Sequence, residues 1–338
     1  MTFNPNDIGI PNGNFFGLPF EYEQAKLVLL PVPWDVTASY RSGASKGPDA
    51  ILDASLQVDL YDLEYYNAWK EGVFSKGINK TVKKQNKILR QEAEKAITFL
   101  QEGGDPDDLK HLVSIREINE ACNQLNQWVY TECWQILEDK KIPGIVGGDH
   151  SSPYGLLRAL AERYDHFGIL QIDAHADLRE AYEGFTFSHA SIMFNAINFK
   201  SVSTLVQVGV RDLCEDEFNL AFREKHIHTF DDTLIHHKLF NGNDWNLQCQ
   251  EMISLLPQKV YISFDIDGLD PSLCPNTGTP VPGGLTFQQA CYLLKTLKEK
   301  GKTIIGFDLC EVSPGEIDAI TGARMLFKLC NLSLSCIK

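Results

Sequence analysis

Phe167-Gly168-Ile169-Leu170-Gln171-Ile172 runs directly into Asp173-Ala174-His175-Ala176-Asp177. The first six residues read as a strand. The next five put acid, imidazole and acid on alternate positions, which in extended chain face one way. Similar short apolar runs recur at Lys26–Leu30, Ile142–Val146, Leu205–Val210, Val260–Phe264 and Thr303–Phe307. Several are apolar on both faces, as expected of a parallel sheet covered by helices on each side. Helical patterns lie between them. Val82–Gln101 is rich in Lys, Glu, Gln, Ala and Leu, and stops at Gly103-Gly104-Asp105-Pro106. Ser114–Asp139 repeats apolar residues at helical spacing, and Thr286–Lys300 opens on a good N-cap residue. Strand–helix alternation of this kind predicts an α/β fold with a mainly parallel sheet. No internal repeat or low-complexity linker divides the chain, and Gly103–Asp108 reads as the join between two helices. One domain spanning 1–338 is expected.

Composition narrows the function. The 338 residues are 43% hydrophobic and 22% charged, ordinary for a globular chain. No apolar run approaches the roughly 18 residues of a membrane-spanning helix. Met1–Asn12 has neither the basic nor the apolar region of a secretory signal. The formal charge of −14, from 31 basic and 45 acidic residues, argues against nucleic acid as partner and suits a cationic small molecule or divalent metal. Nine cysteines, an odd number without a CxxC pair, suggest free thiols in a reducing compartment, hence the cytoplasm.

Three motifs carry candidate chemistry. Asp173, His175 and Asp177 converge on one side of a strand end, an oxygen and nitrogen set suited to Mn²⁺, Ni²⁺ or Zn²⁺. Asp265 and Asp267, in Ser263-Phe264-Asp265-Ile266-Asp267-Gly268, also project together from a strand end. Two such carboxylates repel unless a cation lies between them. His150 follows Gly147-Gly148-Asp149, where paired glycines permit a tight turn. Taken singly, each motif also fits a polar strand end that caps the next helix. Together they place six ligands at strand C-terminal ends, where open α/β sheets carry their sites. Four carboxylates balance two divalent ions, and such a pair can lower the pKa of water from about 15.7 toward neutrality.

GGDH (147–150), DAHAD (173–177), SHAS (188–191) and DIDGLDP (265–271), in this order, resemble the ureohydrolase family of arginases, agmatinases and related amidinohydrolases. The likeness extends to GASKGPDAI (43–51), TGTPVPGGL (277–285), EVSP (311–314) and GAR (322–324). It implies a three-layer α/β/α sandwich and a dinuclear centre, with manganese expected and nickel as alternative. By the family pattern, His150, Asp173, Asp177 and Asp265 hold one ion. Asp173, His175, Asp265 and Asp267 hold the other, so that Asp173 and Asp265 bridge. His189 matches the family's proton-shuttling histidine and Glu311 the carboxylate that grips the guanidinium. The chemistry agrees. A delocalised guanidinium is a poor electrophile and needs a strong nucleophile, an orienting carboxylate and a proton donor for the departing amine. A near-neutral pKa is expected for His189.

The resemblance also bears on substrate. Arg179 stands where an arginase has Asn, and Cys214 stands near the position of an amine-binding Asp. Both departures count against arginine. The Asp177–Ser191 stretch follows the agmatinase-like pattern, so agmatine, cleaved to putrescine and urea, is the expected substrate, with Glu180 or Glu183 as candidates to meet its ammonium. Segment 61–140 is longer than in compact agmatinases and could narrow the pocket or form a subunit contact. A narrowed pocket would favour free guanidine or a guanidino acid such as guanidinobutyrate. Trimers or hexamers are the family expectation. Deacetylase-like hydrolases share the architecture but use one zinc, and a non-catalytic metal-binding scaffold is a further alternative.

Overall fold

The computed structural model describes residues 3–337. Eight strands form one sheet: β1 (Leu27–Val32), β2 (Val73–Ser75), β3 (Ile142–Gly147), β4 (Phe167–Ile172), β5 (Val202–Val208), β6 (Ile227–Phe230), β7 (Lys259–Asp265) and β8 (Thr303–Cys310). Their order is β2-β1-β3-β8-β7-β4-β5-β6. Every pairing is parallel.

Ten α-helices cover the two faces: α1 (Gly47–Ser55), α2 (Lys80–Gln101), α3 (Leu109–Glu138), α4 (Tyr154–Arg163), α5 (Ile192–Ile197), α6 (Glu215–Arg223), α7 (Asp232–Phe240), α8 (Trp245–Ser254), α9 (Phe287–Glu299) and α10 (Glu316–Ser335). On one face, side chains of α1 and α7–α10 pack with Leu170, Ile172, Ile262 and Phe264. On the other, α2–α6 pack with Ile145, Ile169, Leu205 and Tyr261. Alternate residues of β4 and β7 thus enter opposite cores, so both strands are buried along their length. At about 1.5–3 kcal/mol per buried aliphatic or aromatic side chain, these two layers dominate the stability of the fold.

The six strands read from sequence are all present. β2 and β6 were not legible. β2 is three residues long, and β6 interrupts its apolar ends with His228 and Thr229 at the sheet edge. α3 begins before the expected Ser114 because the Asp108 carboxylate accepts from Lys110 N and His111 N and caps it there. Thr286 caps α9 in a reciprocal arrangement with Gln289. Gly103–Asp108 joins α2 to α3. All nine cysteines are free thiols, eight of them buried. Among the described residues no helix is long and apolar enough to cross a membrane.

Candidate active site

The C-terminal ends of β3, β4, β7 and β8 bring the motifs together. After β3 the chain turns at Gly148, where a Cβ would lie 1.7 Å from Trp34 O, so only glycine lets the turn pass. His150 follows, fully buried. Its Nε2 lies 2.9 Å from Ser263 Oγ, which turns Nδ1 toward the centre of the site. Nδ1 is buried without a well-aligned hydrogen bond. Yet it lies 2.9 Å from Asp177 Oδ2, 3.0 Å from Asp173 Oδ2 and 3.4 Å from Asp265 Oδ2. Donors each about 2.0–2.2 Å from one ion stand about 3.0–3.5 Å apart, so this spacing fits a shared cation. His175 Nδ1 in turn lies 3.2 Å from Asp267 Oδ2 and 3.6 Å from Asp173 Oδ1.

Two donor groups result, His150–Asp173–Asp265 and Asp173–His175–Asp267, and Asp173 is common to both. Asp177 adjoins the first. Asp265 falls in the first group only. The backbone holds the carboxylates in place. Asp173 Oδ1 accepts from His175 N, Asp265 Oδ1 from Asp267 N, and Asp267 Oδ1 from Ala174 N. Asp177 and Glu311 have φ of 55° and 61°, left-handed conformations that cost non-glycine residues about 1 kcal/mol or more and tend to occur at functional sites.

The electrostatics call for cations. Burial raises the Asp177 carboxyl to about 7, helped by the charge of Asp173. Burial, then Asp267 and Asp173, push Asp265 well up, and burial with Asp149 and Asp267 does the same to Glu311. Burial also acts to raise Asp173, but His150 and His175 outweigh it and hold its carboxyl far below the usual range. Burial opposes charge on His175, yet Asp267 and Asp173 lift it to about 12. Divalent ions held here would compete with protons for the same donors.

A supporting network was not foreseen. Asp308, fully buried in β8, accepts from Tyr261 OH at 2.5 Å, Ser263 Oγ at 2.8 Å and Phe264 N at 3.2 Å. Ser263 links it to His150. On the other side, Thr229, Gln207 and Gln171 form a hydrogen-bonded ladder across β6, β5 and β4, ending at Asp173 Oδ2. The only sequence signal was polar side chains inside apolar strands. Asp308→Asn is expected to weaken metal binding by about 10–100-fold without unfolding the chain, measured by titration of the stripped protein.

A cleft of about 140 Å³ opens beside the donors, lined in part by His175, Asp177, Arg179, Tyr182, His189 and Asp212. His189 Nε2 lies 3.2 Å from Ser39 Oγ. Its expected near-neutral pKa is corrected: burial, then the charges of His175 and His150, lower it to about 4. Glu311 Oε1 accepts from His150 N at 3.0 Å, and Oε2 faces Gly278. Glu180 and Glu183 are not among the residues lining the cleft; Glu180 is exposed and Glu183 sits on a turn at φ 53°. Acid at the cleft comes instead from Asp212 and the buried Glu217. Cys214 is the N-cap of α6. Arg179 lies over the Tyr182 ring, with Nε 3.6 Å from Glu217 Oε2.

A parallel sheet with carboxylates and imidazoles gathered at its C-terminal edge is an arrangement that could hold metal ions, and comparison with known proteins gives the family. The Arginase family model matches residues 25–331, and the chain belongs to that family. An N(1)-aminopropylagmatine ureohydrolase of Thermus thermophilus is 33% identical, covering 90% of this chain and 89% of the relative. An agmatinase of Pyrococcus horikoshii is 28% identical, covering 93% and 94%. The solved agmatine ureohydrolase of Thermoplasma volcanium superposes with a TM-score of 0.72 at 24% identity, covering 96% of each chain. The protein is thus a hydrolase of amidino C–N bonds, and the one-zinc deacetylase alternative is set aside.

Proposed function

We propose that this chain hydrolyses a linear guanidinoalkylamine to urea and an amine, with N(1)-aminopropylagmatine ahead of agmatine, at a dinuclear manganese centre. The observation that carries the reading is the pair of donor groups sharing Asp173 beside a cleft that holds both His189 and an unpaired acid. Asp212 is exposed and has no ion-pair partner among the described residues, so it can receive an ammonium tail. The aminopropylagmatine relative above shares more of this chain's residues than the agmatinase does. An oxygen-rich donor set favours manganese over softer-ligand metals.

His150, Asp173, His175, Asp177, Asp265 and Asp267 would hold the ions, and the chemistry the ions supply is activation of water at neutral pH, lowering its pKa from about 15.7 to about 7. The chain's own groups do the rest. Glu311 accepts guanidinium N–H groups and orients the electrophilic carbon. His189 lines the same cleft, with Nε2 3.2 Å from Ser39 Oγ. In the cleft it can take a proton from the attacking water and pass it to the departing nitrogen, as the C–N bond breaks with its electron pair on the amine.

Arg179 supports a second reading. A cation in the cleft suits a guanidino acid, although Glu217 and Tyr182 already engage it. A urea-release assay over N(1)-aminopropylagmatine, agmatine, arginine, guanidine and guanidinobutyrate decides. The two amines are expected to exceed arginine in kcat/KM by about 10²-fold or more. A zwitterionic head would lose water at two charges, and Arg179, already engaged by Glu217 and Tyr182, would repay its carboxylate poorly. Guanidinobutyrate ahead of both amines would establish the second reading, and arginine equal to the amines would refute the first.

A further inference from the structure

We propose that the α2–α3 hairpin is a positioning element of the active site, with Arg90 and Asn119 holding the two loops that grip His189. The proposal rests on the proton-transfer role given to His189 above.

α2 and α3 make up most of the segment left unexplained by the sequence. Their apolar residues join the second core, but three polar side chains reach past it to loops that border the cleft. Arg90, on α2, donates from Nη1 to Val36 O at 3.0 Å and also to Ala38 O. Asn86, one turn earlier and buried, accepts from Asp35 N at 2.7 Å and donates to Asp35 Oδ1 at 2.9 Å. Asp35 Oδ2 in turn accepts from Gly43 N at 2.8 Å. The loop is thus tied at its start, its middle and its far end. Its Ser39 lies against His189 Nε2.

α3 acts from the other side. Asn119 donates to Gly184 O at 3.0 Å and accepts from Thr186 N at 3.0 Å. These atoms belong to a turn closed by mutual backbone bonds between Tyr182 and Phe185. The Tyr182 ring stands perpendicular to the His189 ring at 6.2 Å. One helix of the hairpin therefore backs each side of the imidazole.

The chemistry of Arg90 argues against simple packing. Its side chain is 12% exposed; Nε pairs with Glu94, and Nη1 donates to two loop carbonyls. Burying a guanidinium is costly, and an apolar chain of similar length would fill the same space without that cost. What the guanidinium adds is direction: it fixes two carbonyls, of Val36 and Ala38, within the three residues before Ser39. Misplacing a reacting group by about 1 Å can cost about 10²-fold in rate.

The test uses the full-length, metal-loaded protein and compares Arg90→Met, Ser39→Ala, Asn119→Ala and the Arg90→Met/Ser39→Ala double variant. Each single variant is expected to lower kcat by about 10–100-fold, with KM within about 2-fold and metal content unchanged. The double variant is expected to fall no further than the worse single variant, because both act through one imidazole. Parental kcat in a folded Arg90→Met variant would overturn the proposal, as would losses that multiply in the double variant. Should Arg90→Met not fold, Ser39→Ala and Asn119→Ala, both altering loop contacts at the cleft, carry the test, and parental kcat in both overturns it. His189→Asn separates this proposal from its premise. If His189→Asn lowers kcat while the loop variants do not, the positioning role alone fails; if His189→Asn is without effect, the proton-transfer reading fails first.

Discussion

Alanine at Asp173 is expected to lower metal affinity by about 10²–10⁴-fold and to remove urea release at ordinary metal concentrations. Asp173 is the one carboxylate common to both donor groups, and it is fully buried. Its charge also sets the protonation of its neighbours: it helps to raise Asp177 and Asp265, and it sustains the charge on His150 and His175. Removing it leaves two imidazoles without a shared acceptor and opens a gap between the donor groups. Asp267→Ala, in contrast, touches one group only and should weaken one ion's binding. Metal bound per chain, measured after dialysis against a weak chelator, checks both. Equal metal content in parent and Asp173→Ala would remove Asp173 from the centre.

The second large effect is at His189. Asparagine there should lower kcat by about 10²–10⁴-fold and leave metal content as in the parent, since His189 belongs to neither donor group. Added imidazole is expected to restore part of the rate by entering the vacated space beside Ser39. An unchanged kcat would exclude His189 from proton transfer, whatever the state of the metals.

The central strands were legible because burial on both faces writes itself as continuous apolar runs. The donors were legible because each motif sits within a few residues of such a run's end. Period-two spacing then predicts that Asp173 and His175, or Asp265 and Asp267, share a side. What local pattern could not supply was contact between distant segments. Nothing near Arg90 indicates that its guanidinium meets Val36 O, and nothing near Asn119 indicates the Gly184 turn. Asp308 gave only the signal of an acid inside an apolar strand, which shows that a partner must exist but not which one. Glu180 and Glu183 were chosen for nearness in sequence to Asp177. The backbone turns at Asp177, at φ 55°, and the cleft's acids other than Asp177 come from Asp212 and Glu217, beyond the next strand. The downward pull on His189 comes from burial and two neighbouring imidazoles, which are properties of the assembled site.

Two metal ions at the shared-Asp173 cluster are expected to be required for release of urea from a guanidinoalkylamine. Titrating Mn²⁺ into chelator-stripped protein while following urea release from N(1)-aminopropylagmatine tests it most directly. Negligible release is expected at the start, followed by a rise that levels off at two equivalents per chain. A plateau at one equivalent, or release that survives stripping, would contradict it.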